Sequence, residues 1–283
     1  MSNRYANFMT ASAVLSGLYL MAVMPRMTGK PDPIPFNTRF FAHRGLYDNN
    51  SEAPENSMAA FSKAVEHGYG IELDVQLSKD GVPVIFHDFD LARACGVSGL
   101  VRDYTFAQLG AFRLFGSDEK IPSLKEFLNM VDGRVPLIVE YKSEDCDMTL
   151  CRIIDPMLKE YKGVYCIESF NPLVLLWYRM KRPGVMRGQL SDGFSHIPAY
   201  RTLKKAPATI PVQFLLPNFL SKPDFIAYNH IYKRNISRRI CRGLFGAKSA
   251  AWTIKNQEQL EGAFKAFDVF IFDSFIPQLP AGQ

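Results

Sequence analysis

The sequence predicts an α/β fold, a closed (β/α)8 barrel of the TIM type, and three observations lead there. Short apolar runs recur eight times after residue 38, separated by longer segments whose apolar residues repeat with helical spacing. Strands alternating with helices pair in parallel, and eight such units close on themselves rather than forming an open sheet. The 283 residues hold a barrel of about 250 residues plus a short N-terminal addition. Finally, several runs end on charged residues, and the carboxyl ends of the strands are where such a barrel gathers its chemistry.

Taken in order, residues 6–24 are mostly apolar (Phe8, Met9, Val14, Leu15, Leu18, Tyr19, Leu20, Met21, Val23), with no charge between Arg4 and Arg26. A helix of about nineteen residues reaches across a bilayer. Apolar residues lie on all its sides and no small-x-small cleavage site precedes Pro25, so the expectation is a retained, single-pass N-terminal transmembrane helix. Arg26 and Lys30, weighed against Arg4 and the terminal amine, put the following domain on the cytoplasmic side. Residues 31–37 carry three prolines and no periodicity and read as a stiff linker. The division is therefore 1–37 for anchor and linker and 38–283 for the barrel domain.

The expected strands are 40–43, 70–75, 136–142, 163–170, 185–190, 224–230, 249–254 and 268–275. Between them, Met58, Phe61, Ala64 and Val65 form one helical stripe after Ser57, and Leu124, Phe127, Leu128 and Val131 form another after Ser123. Both serines suit N-caps. A ninth run, 82–86, follows Val75 too closely for a parallel crossover, and Lys79-Asp80-Gly81 is a turn, so 76–86 reads as a hairpin over the barrel mouth. Residues 91–122 read as an excursion above the site. In 192–223, Leu203, Ile210, Phe214, Leu215, Leu216, Phe219 and Leu220 alternate with lysines, which suits a variant helix packed on the barrel or, alternatively, a membrane-surface segment. The basic run Lys233, Arg234, Arg238, Arg239 and Arg242 reads as a solvated helix face.

A formal net charge of +5 suits an anionic small substrate or an anionic membrane surface and is too weak for nucleic acid. Five cysteines without Cys-x-x-Cys spacing argue against a zinc cluster or a disulfide framework. Nothing in the sequence fixes an oligomeric state.

Residues two apart on a strand share a face, so Glu72 stands beside Asp74 and Glu140 beside Lys142. Barrel closure brings the three acids together, and clustered carboxylates repel unless a cation lies between them. An all-oxygen set selects a hard ion, Mg2+ or Ca2+. His43 and His87, each ending an apolar run at the same mouth, suit paired acid and base roles. Arg44 and Lys142 suit an anionic substrate. Glu55, just before a helix, is either a fourth ligand or the group that orients Arg44. Together these describe cleavage of a phosphate ester.

The motifs His43-Arg44-Gly45, Pro54-Glu55-Asn56-Ser57, Glu72-Leu73-Asp74-Val75, Lys79-Asp80-Gly81, His87-Asp88, Glu140-Tyr141-Lys142, Ser169-Phe170 and Trp252-Thr253-Ile254 occur in the order found in the glycerophosphodiester phosphodiesterase family, which the chain resembles from residue 40 to its last strand. The resemblance implies a barrel of the phosphatidylinositol phospholipase C type, one metal on Glu72, Asp74 and Glu140, acid and base roles for His43 and His87, substrate contacts from Arg44 and Lys142, and a pocket wall at Trp252. It implies hydrolysis of a small or lipid-derived glycerophosphodiester to an alcohol and glycerol 3-phosphate. Hydrolysis of membrane lysophospholipids is the alternative within the same chemistry, and a non-catalytic binding barrel the alternative outside it. The last strand departs from the family pattern at Phe272-Asp273-Ser274, where Ser274 is expected to bear little on chemistry.

Overall fold

Eight parallel strands close into a ring in the computed structural model, which describes residues 2–194 and 206–280. They are β1 (Phe40–His43), β2 (Gly70–Leu77), β4 (Leu137–Tyr141), β5 (Tyr165–Ser169), β6 (Arg187–Ser191), β7 (Phe225–Asn229), β8 (Lys248–Ile254) and β9 (Val269–Phe272), and the ring closes where β1 pairs with both β2 and β9. The extra strand β3 (Pro83–Ile85) lies antiparallel on β2 and forms the expected hairpin. All eight expected barrel strands form.

Helices cover the barrel in chain order: α1 (Ser2–Val23), α2 (Met58–Glu66), α3 (Ala92–Cys95), α4 (Phe106–Leu109), α5 (Leu124–Val131), α6 (Thr149–Glu160), α7 (Pro172–Lys181), α8 (Ala206–Gln213), α9 (Asn218–Ser221), α10 (Ile236–Gly243) and α11 (Gln257–Phe264). Ser57 caps α2 by accepting from the amide of Ala60, and Ser123 caps α5 in a reciprocal box with Glu126.

Strand alternation divides the side chains into two sets. One set, with Ile71, Leu73, Val139, Ile167 and Tyr228, packs outward against the helices. The other, with Phe41, Ile138, Cys166, Phe225, Ala227, Ala250 and Ile271, fills the barrel. Gly188 belongs to the filled interior, where a β-carbon would come within 2.1 Å of the Phe225 ring. The excursion has a core of its own in Leu91, Ala94, Val101, Leu109, Leu114 and Ile121.

The expected N-terminal membrane span is corrected. Among the described residues no helix is long and apolar enough to cross a membrane. A helix does form at α1, but its last turn is fastened to the barrel. Val23 is fully buried, and its carbonyl accepts from Asn218 Nδ2 at 2.9 Å. The Tyr19 hydroxyl meets Ser237 Oγ at 2.6 Å. Beyond it, Arg26 donates to Pro183 O at 2.7 Å and Lys222 Nζ donates to Met24 O at 3.0 Å.

The proline-rich stretch also does more than link. Residues Ile34–Asn37 form a 3-10 turn that sets Phe36 edge-on to Phe225 (4.8 Å between centroids) and Phe41 (6.2 Å), closing the floor of the barrel. Of segment 192–223, residues 195–205 lie outside the described residues; in the remainder Leu215 is buried and Phe219 exposed. The basic run is not wholly a solvated face, because Arg238 is buried over the Phe267 ring and donates to Lys233 O and Ala266 O.

Phe36 is half-buried, so Phe36→Ala should lower unfolding stability by about 1–2 kcal/mol, less than for an aromatic removed from a full core. Urea unfolding measures this, and a change within about 0.5 kcal/mol, normal for surface positions, would return the stretch to linker status.

Candidate active site

The site is assembled where strands end. In register, His43 lies opposite Glu72, Asp74 opposite Glu140, and Glu140 opposite Glu168, so β1, β2, β4 and β5 deliver inward residues to the same mouth. The turn after β1 is tight. Arg44 has φ +55° and Gly45 φ +85°, and a β-carbon on Gly45 would come within 2.8 Å of the backbone carbonyl carbon of Ala60 in α2. Only glycine fits there, and the resulting turn aims the Arg44 amide at both Glu72 O (2.9 Å) and Glu72 Oε2 (3.1 Å).

Glu72, Asp74 and Glu140 are buried, with one carboxylate oxygen from each within 4.8 Å of the others. Burial, followed by the charges of Asp74, Glu140 and Glu168, pushes Glu72 well above the carboxylate range. Burial raises Glu140 as well. Burial acts in the same sense on Asp74, but Lys142, His87, Arg44 and the Asn56 amide outweigh it and hold Asp74 well below that range. Lys142 Nζ lies 2.7 Å from Glu140 Oε1 and 3.1 Å from Asp74 Oδ1. A single ammonium thus offsets part of a surplus of negative charge, and the all-oxygen donor set fits a hard divalent ion.

His43 is held from behind. Its Nδ1 stands 3.1 Å from Asp273 Oδ2 and its Nε2 3.9 Å from Glu72 Oε2. Burial, then the charge of Arg44, lowers the His43 pKa to about 4, against the opposing pull of Asp273. Burial works to raise Asp273, but its bonds from His43 and Ser274 prevail and bring it to about 2. A neutral imidazole beside an ionised carboxylate donates from Nδ1, which leaves the Nε2 lone pair facing the mouth. The Tyr47 hydroxyl donates to Asp273 Oδ2 at 3.1 Å, and the Ser274 hydroxyl to Oδ1 at 2.8 Å, so Ser274 helps to set the histidine.

His87 arrives on the returning limb of the hairpin. The side-chain amide of Gln76 donates to the carbonyls of Phe86 and Asp88, each at 2.8 Å, and pins that limb to β2. His87 Nδ1 lies 2.5 Å from Asp88 Oδ1. The Glu55 oxygens accept from Arg44 Nη1 (2.7 Å), Arg93 and Asn49, contacts that suit the reading in which it orients Arg44. Trp252 stands edge-on to Phe170 (5.8 Å between centroids), with its indole N–H unpartnered at the mouth.

The predicted residues therefore converge, but sequence reasoning missed five others. Asp273 and Asp88 orient the histidines, and Asn56 Nδ2 donates to Asp74 Oδ2 at 2.9 Å. Arg93 bridges Asp88 and Glu55. Glu168 is a fourth buried carboxylate, raised well above its usual range by burial and then by Glu140 and Asp74, and its Oε2 has no hydrogen-bond partner. Asp273 and Glu168 were open to the argument that found Glu140, since both close barrel strands.

Comparison with known proteins agrees with this geometry. Residues 43–270 match the glycerophosphoryl diester phosphodiesterase family. A glycerophosphodiester phosphodiesterase of Caldanaerobacter subterraneus is 29% identical over 245 residues, covering 81% of this chain and 90% of that one. Glycerophosphodiester phosphodiesterase 1 of Bos taurus is 36% identical over 251 residues, 77% of this chain and 72% of that one. An Oleispira antarctica phosphodiesterase, solved in complex with the product sn-glycerol-3-phosphate, shares the fold with a TM-score of 0.65 at 23% identity, over 83% of this chain and 92% of that one. The chain belongs to the glycerophosphoryl diester phosphodiesterase family. It is an enzyme, a phosphoric diester hydrolase.

The buried neutral state of His43 carries a pH signature. Its folded pKa of about 4 lies below the ordinary 6.5, so between these values the unfolded chain binds the extra proton. The His43 contribution is undiminished above 6.5, and stability falls as pH drops towards 4. In His43→Gln, urea unfolding should lose less stability between about pH 7 and about pH 5 than wild type does. Equal losses would show that His43 titrates normally in the fold.

Proposed function

We propose that the chain hydrolyses glycerophosphodiesters to an alcohol and glycerol 3-phosphate, with His43 and His87 sharing the proton transfers. The observation that carries the reading is the Asp273–His43 pair beside three buried carboxylates: it presents a neutral Nε2 at the site where negative charge is concentrated. The product bound to the Oleispira antarctica enzyme supports glycerol 3-phosphate as the retained fragment.

His43 Nε2 takes the proton of the attacking hydroxyl as its oxygen bonds to phosphorus: attack by water gives glycerol 3-phosphate directly, and attack by a neighbouring hydroxyl of the substrate gives a cyclic phosphate that water then opens with the two histidines in reversed roles. His87, its Nδ1–H held by Asp88, gives the Nε2 proton to the alcohol oxygen as the P–O ester bond breaks. The neutral His87 then regains a proton as His43 loses one. Arg44 and Lys142 line the same mouth and bind phosphoryl oxygens, Arg44 with its guanidinium fixed by Glu55 and Lys142 with an ammonium between Asp74 and Glu140. Glu72, Asp74 and Glu140 would hold one Mg2+ or Ca2+, which offsets charge at the phosphoryl oxygens. Trp252 and Phe170 give the mouth an apolar wall and keep water from the departing alcohol. The lysophospholipid alternative draws less support, since among the described residues no helix is long and apolar enough to cross a membrane, although Phe219 of its apolar stretch is exposed.

Purified protein should release glycerol 3-phosphate from glycerophosphocholine, stop when a chelator is added, and resume with Mg2+ or Ca2+. His43→Ala should lose at least about 10²-fold in kcat. Activity confined to lysophosphatidylcholine would move the substrate to the lipid, and a His43→Ala variant turning over like wild type would contradict the assignment.

A further inference from the structure

Arg93 lies on α3, in the excursion and outside the barrel. Its Nε donates to Asp88 Oδ2 at 2.6 Å, and its terminal nitrogens reach Glu55 Oε2 at 3.1 Å and Oε1 at 2.6 Å. The other oxygen of Asp88 meets His87 Nδ1 at 2.5 Å, and Glu55 Oε1 also receives Arg44 Nη1 at 2.7 Å. One guanidinium thus closes a continuous chain from His87 through Asp88, Arg93 and Glu55 to Arg44. The ring of Phe115, from the same excursion, lies 5.5 Å from Arg93 Cζ.

Guanidinium carries five donors in a plane, enough to serve two carboxylates from two edges at once. Here both acids respond. Burial alone would raise them, yet the bonds from Arg93, with those from His87 to Asp88 and from Arg44 and Asn49 to Glu55, hold both below the ordinary carboxylate range. Each is thereby kept ionised as an acceptor, Asp88 for the His87 N–H and Glu55 for Arg44. Tethering the excursion does not require Arg93. Lys79 N bonds Tyr104 O at 2.9 Å, Phe106 N bonds Asp80 Oδ1 at 2.9 Å, Ile85 N bonds Pro122 O at 2.9 Å, and the excursion has its own core.

We propose that Arg93 is a positioning residue that sets His87 and Arg44 together, so that the excursion completes the active site through one side chain. The inference rests on the reading of His87 as the acid and Arg44 as a phosphate-binding group. Arg93 touches neither substrate nor reacting atoms and works through the two carboxylates.

The test measures kcat and KM on glycerophosphocholine for Arg93→Ala, Arg93→Lys, Asp88→Asn, the Arg93→Ala/Asp88→Asn double variant and His87→Ala, with thermal unfolding of each. Arg93→Ala should lose about 10²-fold in kcat, the scale set by misplacement of a catalytic group, and its KM should rise as Arg44 is released. A purely structural loss reduces the folded fraction, which scales kcat and leaves KM alone. Arg93→Lys should recover little, because an ammonium cannot bridge both acids in one plane. The double variant should be no worse than the weaker single, as expected for residues acting as a unit. Wild-type kcat and KM in Arg93→Ala, or full activity in Arg93→Lys should the alanine variant fail to fold, would overturn the inference, as would a double variant whose loss is the product of the two single losses. If His87→Ala is inactive in those cases, the acid assignment stands without Arg93; an active His87→Ala removes that assignment itself.

Discussion

Four carboxylates, Glu72, Asp74, Glu140 and Glu168, lie buried at one end of a parallel barrel beside the Lys142 ammonium and the Arg44 guanidinium, and the rest of the site follows from that imbalance. Apolar burial closes the barrel, and its register brings Asp74, Glu140 and Glu168 side by side with Glu72 one inward position below. In a medium of low polarity, unpaired carboxylates are costly, and breaking a buried pair by removing one partner costs about 3–5 kcal/mol. The protein distributes the load unequally. Asp74 is kept ionised by Lys142, Arg44 and Asn56, while Glu72 and Glu168, with fewer partners, are pushed towards the neutral form. An all-oxygen cluster arranged in this way fits a small hard cation.

The two histidines stand on either side of this charge and are held in the same manner, each by an aspartate at Nδ1. Their settings differ. His43 is buried against Asp273 on the last strand, and its proton affinity is suppressed; His87 rides a hairpin, is a third exposed, and takes its aspartate from the next residue in the chain. One imidazole is thus desolvated and the other more accessible, the settings that the proposed division of proton transfers asks for. The hairpin and the excursion are thus the parts that turn a barrel mouth into a two-sided site.

Much of this was legible in the sequence because the signals are local. Eight apolar runs at crossover spacing define the barrel, Lys79-Asp80-Gly81 defines the hairpin, and the Glu72/Asp74 alternation reports one strand face directly. Apart from Asp88, which adjoins His87, what escaped depends on contacts between residues separated in the chain. Asp273 looks like Asp224 or Asp268, strand-flanking acids with structural partners, until the ring closes it onto His43, 230 residues away. Arg93 is one arginine in a loop, separated from Glu55 by 38 residues. The largest misreading, of α1, has the same origin. An apolar helix followed by prolines resembles a membrane anchor as long as Ser237 and Asn218, the residues that fasten its end, cannot be placed beside it.

If burial shapes the carboxylate cluster into a cation site, calorimetric titration of the chelator-stripped protein with Mg2+ or Ca2+ will show saturable binding of one ion per chain in wild type and its loss in Glu72→Gln, with the folded state of the variant intact. Absence of binding by either ion to the wild type, or binding that survives Glu72→Gln unchanged, would contradict it.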